Sequence, residues 1–554
     1  MQIDTFKSQL RSLFLTLLPL IIVSITFLSI GIYFEEDEVF ANYFFSLNGK
    51  FLNSHLYMNE EYFLVSELII RIQHLIKGIN IFALYKILSM VIILSYLFHI
   101  FSRRIQSKLQ LALIILSIGG LFLSSIVLIN NVRLSYWFAL LALIYLYDKQ
   151  NELNFYHLYH FYFIAFLAIT SRFQITLIVF SLSFVFGLFF MQKRTWLHLG
   201  IVLLTCGILF SIFTNSISNY NPKTQDFYNY ELSIYDRNDF ILQDMYNEYN
   251  TLDYVSTLKE KELKYLAKSL FLVDSSLNNI SFQEILLHPT LFEYLFQNDN
   301  FLSIYSKKLH VLAKTTYANY RWLIPLLGLL LLVLLLKCKS RVSLFKIVLF
   351  LLAYLSIPFL ISLVGTVPNK FLAPYLAAPI LLILLKLHHE KARKNLLLTI
   401  LPFAFVGIQT SFITIPNLLK VKAEEKEKLC IQQQLYQEDV IYLNYFDTQA
   451  FSSRAFELFD RTEFVFMDLG GFIDYPSILM QNKRYFGENN SYMQGRYNDV
   501  LDREALVYGS LFQMLVVKHY LKKVHNFDLY FKGEMLCEKL EFYKFRLSRT
   551  PFNE

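Results

Sequence analysis

Apolar residues in this chain come in long, nearly unbroken runs, not in the narrow stripes or strict alternation of a soluble fold. Runs of crossing length fall near 12–34, 79–101, 109–129, 134–147, 157–171, 174–191, 198–215, 321–337, 344–364, 371–386 and 396–415. Several are shorter than the ~20 residues that a bilayer asks of a helix, the fourth, fifth and tenth most of all. The pattern predicts an α-helical polytopic protein with about 11 transmembrane helices over residues 1–415. A small soluble α/β domain over 416–554 follows.

The connectors give the orientation. Lys7/Arg11, Arg103/Arg104/Lys108, Lys149, Lys193/Arg194, Lys337/Lys339/Arg341 and the stretch His388–Lys394 all fall on one parity. Basic short loops stay in the cytoplasm, so the N-terminus is expected inside and the C-terminal domain outside. The outer side then collects loop 35–78, Asn130–Arg133, Ser171/Arg172, the long segment 216–320, Gly365–Lys370 and the tail.

Two regions have patterns of their own. Residues 60–78 put Leu64, Leu68, Ile72, Leu75 and Ile79 on one helical face, with Glu67 and Arg71 as an i,i+4 pair on another, as in a helix lying in the membrane interface. In the tail, Val440–Leu443 and Glu463–Met467 read as strands, 503–523 as a helix, and the residues around Leu529–Phe531 as alternating.

Composition agrees with this class: 55% of the 554 residues are hydrophobic, 17% aromatic and only 17% charged, with mean hydropathy +0.41. The net charge of +7 resides largely in topology-setting loops, so nucleic acid is not an expected partner. The four cysteines, Cys206, Cys338, Cys430 and Cys537, show no metal-ligand spacing. Cys430 and Cys537 either pair, in an oxidising compartment, or remain two separate thiols.

The first expected span runs directly into Glu35-Glu36-Asp37-Glu38, followed by Val39-Phe40-Ala41-Asn42 and, further on, Asn48-Gly49. Four carboxylates beside a low-dielectric slab repel one another and raise one another's proton affinity, which is costly for a mere cap and useful for a base. Arg133, Arg172 and Lys370 are basic residues in short outer connectors, against the positive-inside trend. They are either interfacial anchors or counter-charges for an anion.

The segment from Asp37-Glu38 to Gly49 resembles the first external loop of the GT-C class of integral membrane glycosyltransferases. That class includes protein O-mannosyltransferases and the aminoarabinose transferase of lipid A. Asn369-Lys370-Phe371-Leu372-Ala373-Pro374 through Pro379 is similar to the basic-aromatic motif that opens a late span in several of these families, with Lys370 where Arg is usual. The resemblance implies a polyprenyl-phosphate-linked sugar as donor and an exported lipid, glycan or protein as acceptor. It implies Asp37 as general base, Glu38 as its orienting partner, and Lys370 with Arg133 and Arg172 at the donor phosphate. Glu35, Glu36 and Asn369 support them. A second acidic motif found in many members has no counterpart in Asn130-Asn131-Val132-Arg133, so no metal and no other cofactor is expected.

Two other classes compete. A repeat-unit polysaccharide polymerase or ligase would rely on outer-loop arginines more than on an acid after span one. A transporter or flippase would carry ionisable residues inside its spans, whereas the apolar runs read as almost free of charge. Reporter fusions test the topology: one active only outside the cytoplasm should work when fused after Glu554 and be silent within 388–394. The reverse pattern would place the acidic loop in the cytoplasm and remove exported substrates from consideration.

Overall fold

A computed structural model describes residues 2–29, 31–34, 66–76, 79–102, 108–220, 415–416, 418–431, 433–435, 440–444, 465–469, 493–538 and 540–552, with isolated positions between 256 and 352. The described part is mostly helical with one small sheet and a two-residue strand pair. The four expected spans between 321 and 415 and the long segment 216–320 lie almost wholly outside it.

The first helix, α1 (Gln2–Ser29), contains Pro19 and ends before Gly31. Gly31 has φ +100, and a Cβ there would meet the Tyr33 hydroxyl at 2.8 Å and its ring at 3.0 Å, so the turn needs glycine. It redirects the chain into β1 (Tyr33–Phe34), whose side chains are buried. The interfacial helix forms as α2 (Ser66–Leu75), shorter than the 60–78 stretch. Leu68, Leu75 and Ile79 of the expected apolar face point outward, and Ile69 and Gln73 are buried instead. Gln73 donates to the Ile79 carbonyl at 2.9 Å and accepts from the Ile81 amide at 2.9 Å. Asn80 Oδ1 accepts from the Ala83 amide. Together they satisfy the free backbone groups where α3 (Ile81–Ser102) begins.

Next come α4 (Lys108–Val127), β2 (Leu128–Ile129) and α5 (Asn131–Lys149). Nearly every α5 residue is buried, which makes it the central helix of the bundle, packed on α3 and on α6. Trp137 stacks on Phe122 with centroids 3.9 Å apart and donates to Ser125 Oγ, locking α5 to α4.

The 36-residue α6 (Phe155–Phe190) breaks at Arg172, where φ is −165 and ψ 103. The sequence reading put a connector at this point. The two halves fold back on each other. The Phe161 and Phe180 rings are 6.3 Å apart, whereas a straight helix would separate them by roughly 28 Å. Gln192, past the far end of α6, hydrogen-bonds Gln150 and Asn151 ahead of its start. The hairpin continues into α7 (Lys193–Tyr220).

Of the described helices, Ile81–Ser102 is long and apolar enough to cross a membrane; Leu13–Ser29, Leu111–Gly120 and Thr195–Leu209 are shorter apolar stretches. Large apolar side chains stand exposed in rows on α1 (Leu13, Leu17, Leu20, Ile21, Ile25, Leu28) and on α7 (Leu197, Ile201, Leu204, Ile208, Ile212).

In the tail, a helical stretch 418–431, here α8, leads to β3 (Val440–Leu443), β4 (Val465–Asp468), α9 (Met493–Asp502), β5 (Leu506–Ser510), α10 (Leu511–His525), β6 (Tyr530–Cys537) and β7 (Phe542–Ser548). The five strands lie in the order β4-β3-β5-β7-β6, with β4, β3 and β5 parallel and the β5–β7 and β7–β6 pairs antiparallel. The expected 503–523 helix is therefore a strand and then a helix. Leu506–Tyr508 are interior strand residues, and Ser510 caps α10 by accepting from the Gln513 amide. Met514, Val517, Tyr520 and Leu521 of α10 pack with Val507 and Phe545 as the core of this unit. Leu418 of α8 is fully buried against Tyr33 and Val127, so the tail is rooted beside the β1–β2 pair.

Candidate active site

The site begins with a backbone pairing. β1 runs parallel to β2 with Tyr33 opposite Leu128 and Phe34 opposite Ile129. β2 leads through Asn130 into α5, so Phe34, the residue that precedes Glu35 in sequence, ends beside the start of α5. Glu35, Glu36, Asp37, Glu38, Asn369 and Lys370 themselves lie outside the described residues. Arg133 and Arg172 are described, and the fold brings their segments together.

Asn130 caps α5 by accepting from the Val132 amide at 2.7 Å. The cap turns Asn131 and Arg133 into the first turn of a buried helix, not the open loop expected from sequence. Arg133 is 9% exposed, which is not the position of a side chain reaching out to headgroups. Two residues on, Ser135 lies under the break in α6. Its hydroxyl is 2.8 Å from the Arg172 carbonyl oxygen, 3.1 Å from that of Ala168 and 3.1 Å from Thr176 Oγ1. Thr176 in turn donates to the Arg172 carbonyl. These hydroxyls supply what the interrupted helix ladder lacks, and so hold Arg172 at the hairpin turn.

The third wall comes from α3. Tyr85 and Ser171 join hydroxyl to hydroxyl at 3.3 Å, which ties α3 to the same turn. Next to it, Lys86 is fully buried, donates from Nζ to Asn131 Oδ1 and stands 5.0 Å above the Phe82 ring. Phe82 packs on Phe34, the last residue before the acidic run, with centroids 5.5 Å apart. Lys86 thus sits about 8 Å below the start of α3, at 1.5 Å per residue, under the exit of β1.

Lys86 corrects the sequence reading, which treated the apolar runs as almost free of charge. A lone lysine within the 22 residues of α3 was a visible signal, because an ionisable group inside an apolar helix is expensive unless it has a role. Asn131, Tyr85 and Ser171 carried no comparable signal; only the fold places them.

Lys86, Arg133 and Arg172 therefore arrive by three helices at one end of the bundle, the end at which β1 stops at Phe34. Three cationic side chains in a poorly solvated setting stabilise negative charge placed among them, whether a carboxylate or a phosphate. Among the described residues no group of three or more His, Cys, Asp or Glu could hold a metal ion.

The opposite end is different in kind. Tyr96 meets His160 at 2.6 Å, Tyr162 meets His198 at 2.8 Å and Tyr145 meets His157 at 3.3 Å. Exposed Phe155, Tyr156 and Tyr159 surround them, so this end carries an aromatic collar of Tyr–His pairs.

Asn131→Asp gives Lys86 a fixed carboxylate partner. It should leave thermal unfolding within a few degrees of wild type and weaken binding of a short-chain polyprenyl phosphate by about tenfold or more. Binding of undiminished strength would remove Lys86 from the anion site.

In comparisons with known proteins, no family model, no curated protein and no solved structure matches the chain.

Proposed function

We propose that the chain is a polytopic membrane glycosyltransferase of the GT-C kind. It moves a sugar from a polyprenyl-phosphate donor to an exported lipid, glycan or protein acceptor at the outer face of the cytoplasmic membrane. The observation that supports this reading is the β1–β2 pair, which ends Phe34, the residue before Glu35 in sequence, beside the Lys86, Arg133 and Arg172 segments. The exposed apolar rows on α1 and α7 support a lipid environment for the bundle, since faces of that extent are unusual on a soluble monomer.

The chemistry assigns the groups as follows. An acceptor hydroxyl attacks the anomeric carbon from the side opposite the phosphate, so the configuration inverts. Asp37 takes the hydroxyl proton, with Glu38 orienting it and Glu35 and Glu36 keeping its proton affinity high enough to act as a base. The bond from the anomeric carbon to the phosphate oxygen breaks, and polyprenyl phosphate departs with an added negative charge. Lys370, flanked by Asn369, stabilises that charge together with Arg133, Arg172 and Lys86. No metal enters this scheme.

Asp37→Asn should lower transfer by about 10²–10⁴-fold without changing membrane insertion or expression. Lys370→Arg should keep much of the activity, and Lys370→Met should raise the donor KM, because the phosphate loses a counter-charge. Full activity in Asp37→Asn and Glu38→Gln, with loss in Arg133→Met and Arg172→Met, would favour the repeat-unit polymerase class instead.

A further inference from the structure

The long sequence distance between Cys430 and Cys537 disappears in the fold. Cys430 lies near the end of α8, and Cys537 ends β6, where the register against β7 shifts between Met535 and Cys537. Such a bulge re-aims the side chains at a strand end. Here Leu536 and Cys537 pack partly buried on the core that includes Ile431 and Leu435, as does Cys430. Both thiols reach one backbone oxygen: Cys430 Sγ is 2.6 Å and Cys537 Sγ 3.6 Å from the Glu427 carbonyl. The sulfurs are therefore at most 6.2 Å apart, the sum of those two distances. Both are free thiols and neither is fully buried.

We propose that Cys430 and Cys537 are a disulfide-forming pair that ties α8 to β6 when the tail meets an oxidising compartment. The pair shares no atom with the candidate active site, so it stands or falls independently of the glycosyl-transfer reading. Its consequence reaches that site through packing, because α8 is the helix whose Leu418 is buried against Tyr33 beside the β1–β2 pair. With the bond closed, β6 and its sheet are fixed to a helix rooted at the mouth. With it open, that link is non-covalent.

The reaction is a thiol–disulfide exchange with a disulfide donor, either a protein disulfide or a small-molecule one. One cysteine, as thiolate, attacks a donor sulfur and releases the donor's other sulfur as a thiolate. The second cysteine then attacks the mixed disulfide, which closes the Cys430–Cys537 bond and leaves the donor as two thiols. Two electrons pass to the donor, and the two cysteine protons end on its sulfurs or in solvent. Burial, with the neighbouring Cys537 thiol, pushes the Cys430 thiol up to about 11. Little of it is thiolate at neutral pH, so closure is slow in air and depends on that donor.

The test uses the purified full-length protein held in equimolar reduced and oxidised glutathione, quenched in acid, digested without reduction and read by mass spectrometry. The expected product is a peptide pair joined through Cys430 and Cys537, two hydrogens lighter than the free pair. Cys430→Ser or Cys537→Ser should unfold thermally like the reduced wild type, lose that product and carry glutathione on the remaining thiol. Recovery of wild-type Cys430 and Cys537 unlinked, whether free or each bearing glutathione, would overturn the proposal.

Discussion

A chain that leaves a helix within a packed apolar core must pair its free backbone groups at once, because unpaired amides and carbonyls in such surroundings cost several kcal/mol each. Here α1 and α4 meet that demand jointly. Gly31 turns the chain, and Tyr33 and Phe34 pair with Leu128 and Ile129. The pairing is parallel, so both strands exit in the same direction, one toward Glu35 and the other toward Asn130. The nearness of the end of β1 to the start of α5 follows from it. So does the seat of α8, whose Leu418 packs on Tyr33 and Val127.

Burying cations beneath that exit is the second constraint. A lysine taken out of water loses several kcal/mol of hydration and keeps its place only with polar partners. Lys86 has Asn131 and the face of Phe82. The Arg172 turn has the hydroxyls of Ser135 and Thr176 on its carbonyl, and Tyr85 on its neighbour Ser171. These contacts fix the positions of Lys86 and of the Arg172 turn. A floor of that kind suits a phosphate that gains charge as it leaves, in keeping with the function proposed for it.

How much of this could be read from sequence differs by element. Helices α1 and α3 to α7 coincide with apolar runs because a long apolar run has few other ways to satisfy its backbone, and the α6 break falls at the polar residues Ser171/Arg172. The face by which α2 packs was not legible. Its apolar stripe pointed the reading one way, whereas Gln73 is drawn inward by the free backbone groups at the start of α3. Strand β5 lies within the expected 503–523 helix because a short buried strand paired on both edges has no alternation to show. At the site, Arg133 and Arg172 stood out by charge, but their proximity depends on Ser135, a residue with no signal of its own. Lys86 did have a signal, a single charge in an apolar helix, and it was passed over.

Photo-crosslinking tests the central claim most directly. A polyprenyl phosphate carrying a diazirine close to its phosphate would be added to the full-length protein in bilayers and the adducts mapped by mass spectrometry. The account predicts adducts at the start of α3, the first turn of α5 and the Arg172 turn, all suppressed by excess unlabelled polyprenyl phosphate. Adducts confined to the Tyr96–His160 end, or labelling at the mouth that excess lipid does not suppress, would contradict it.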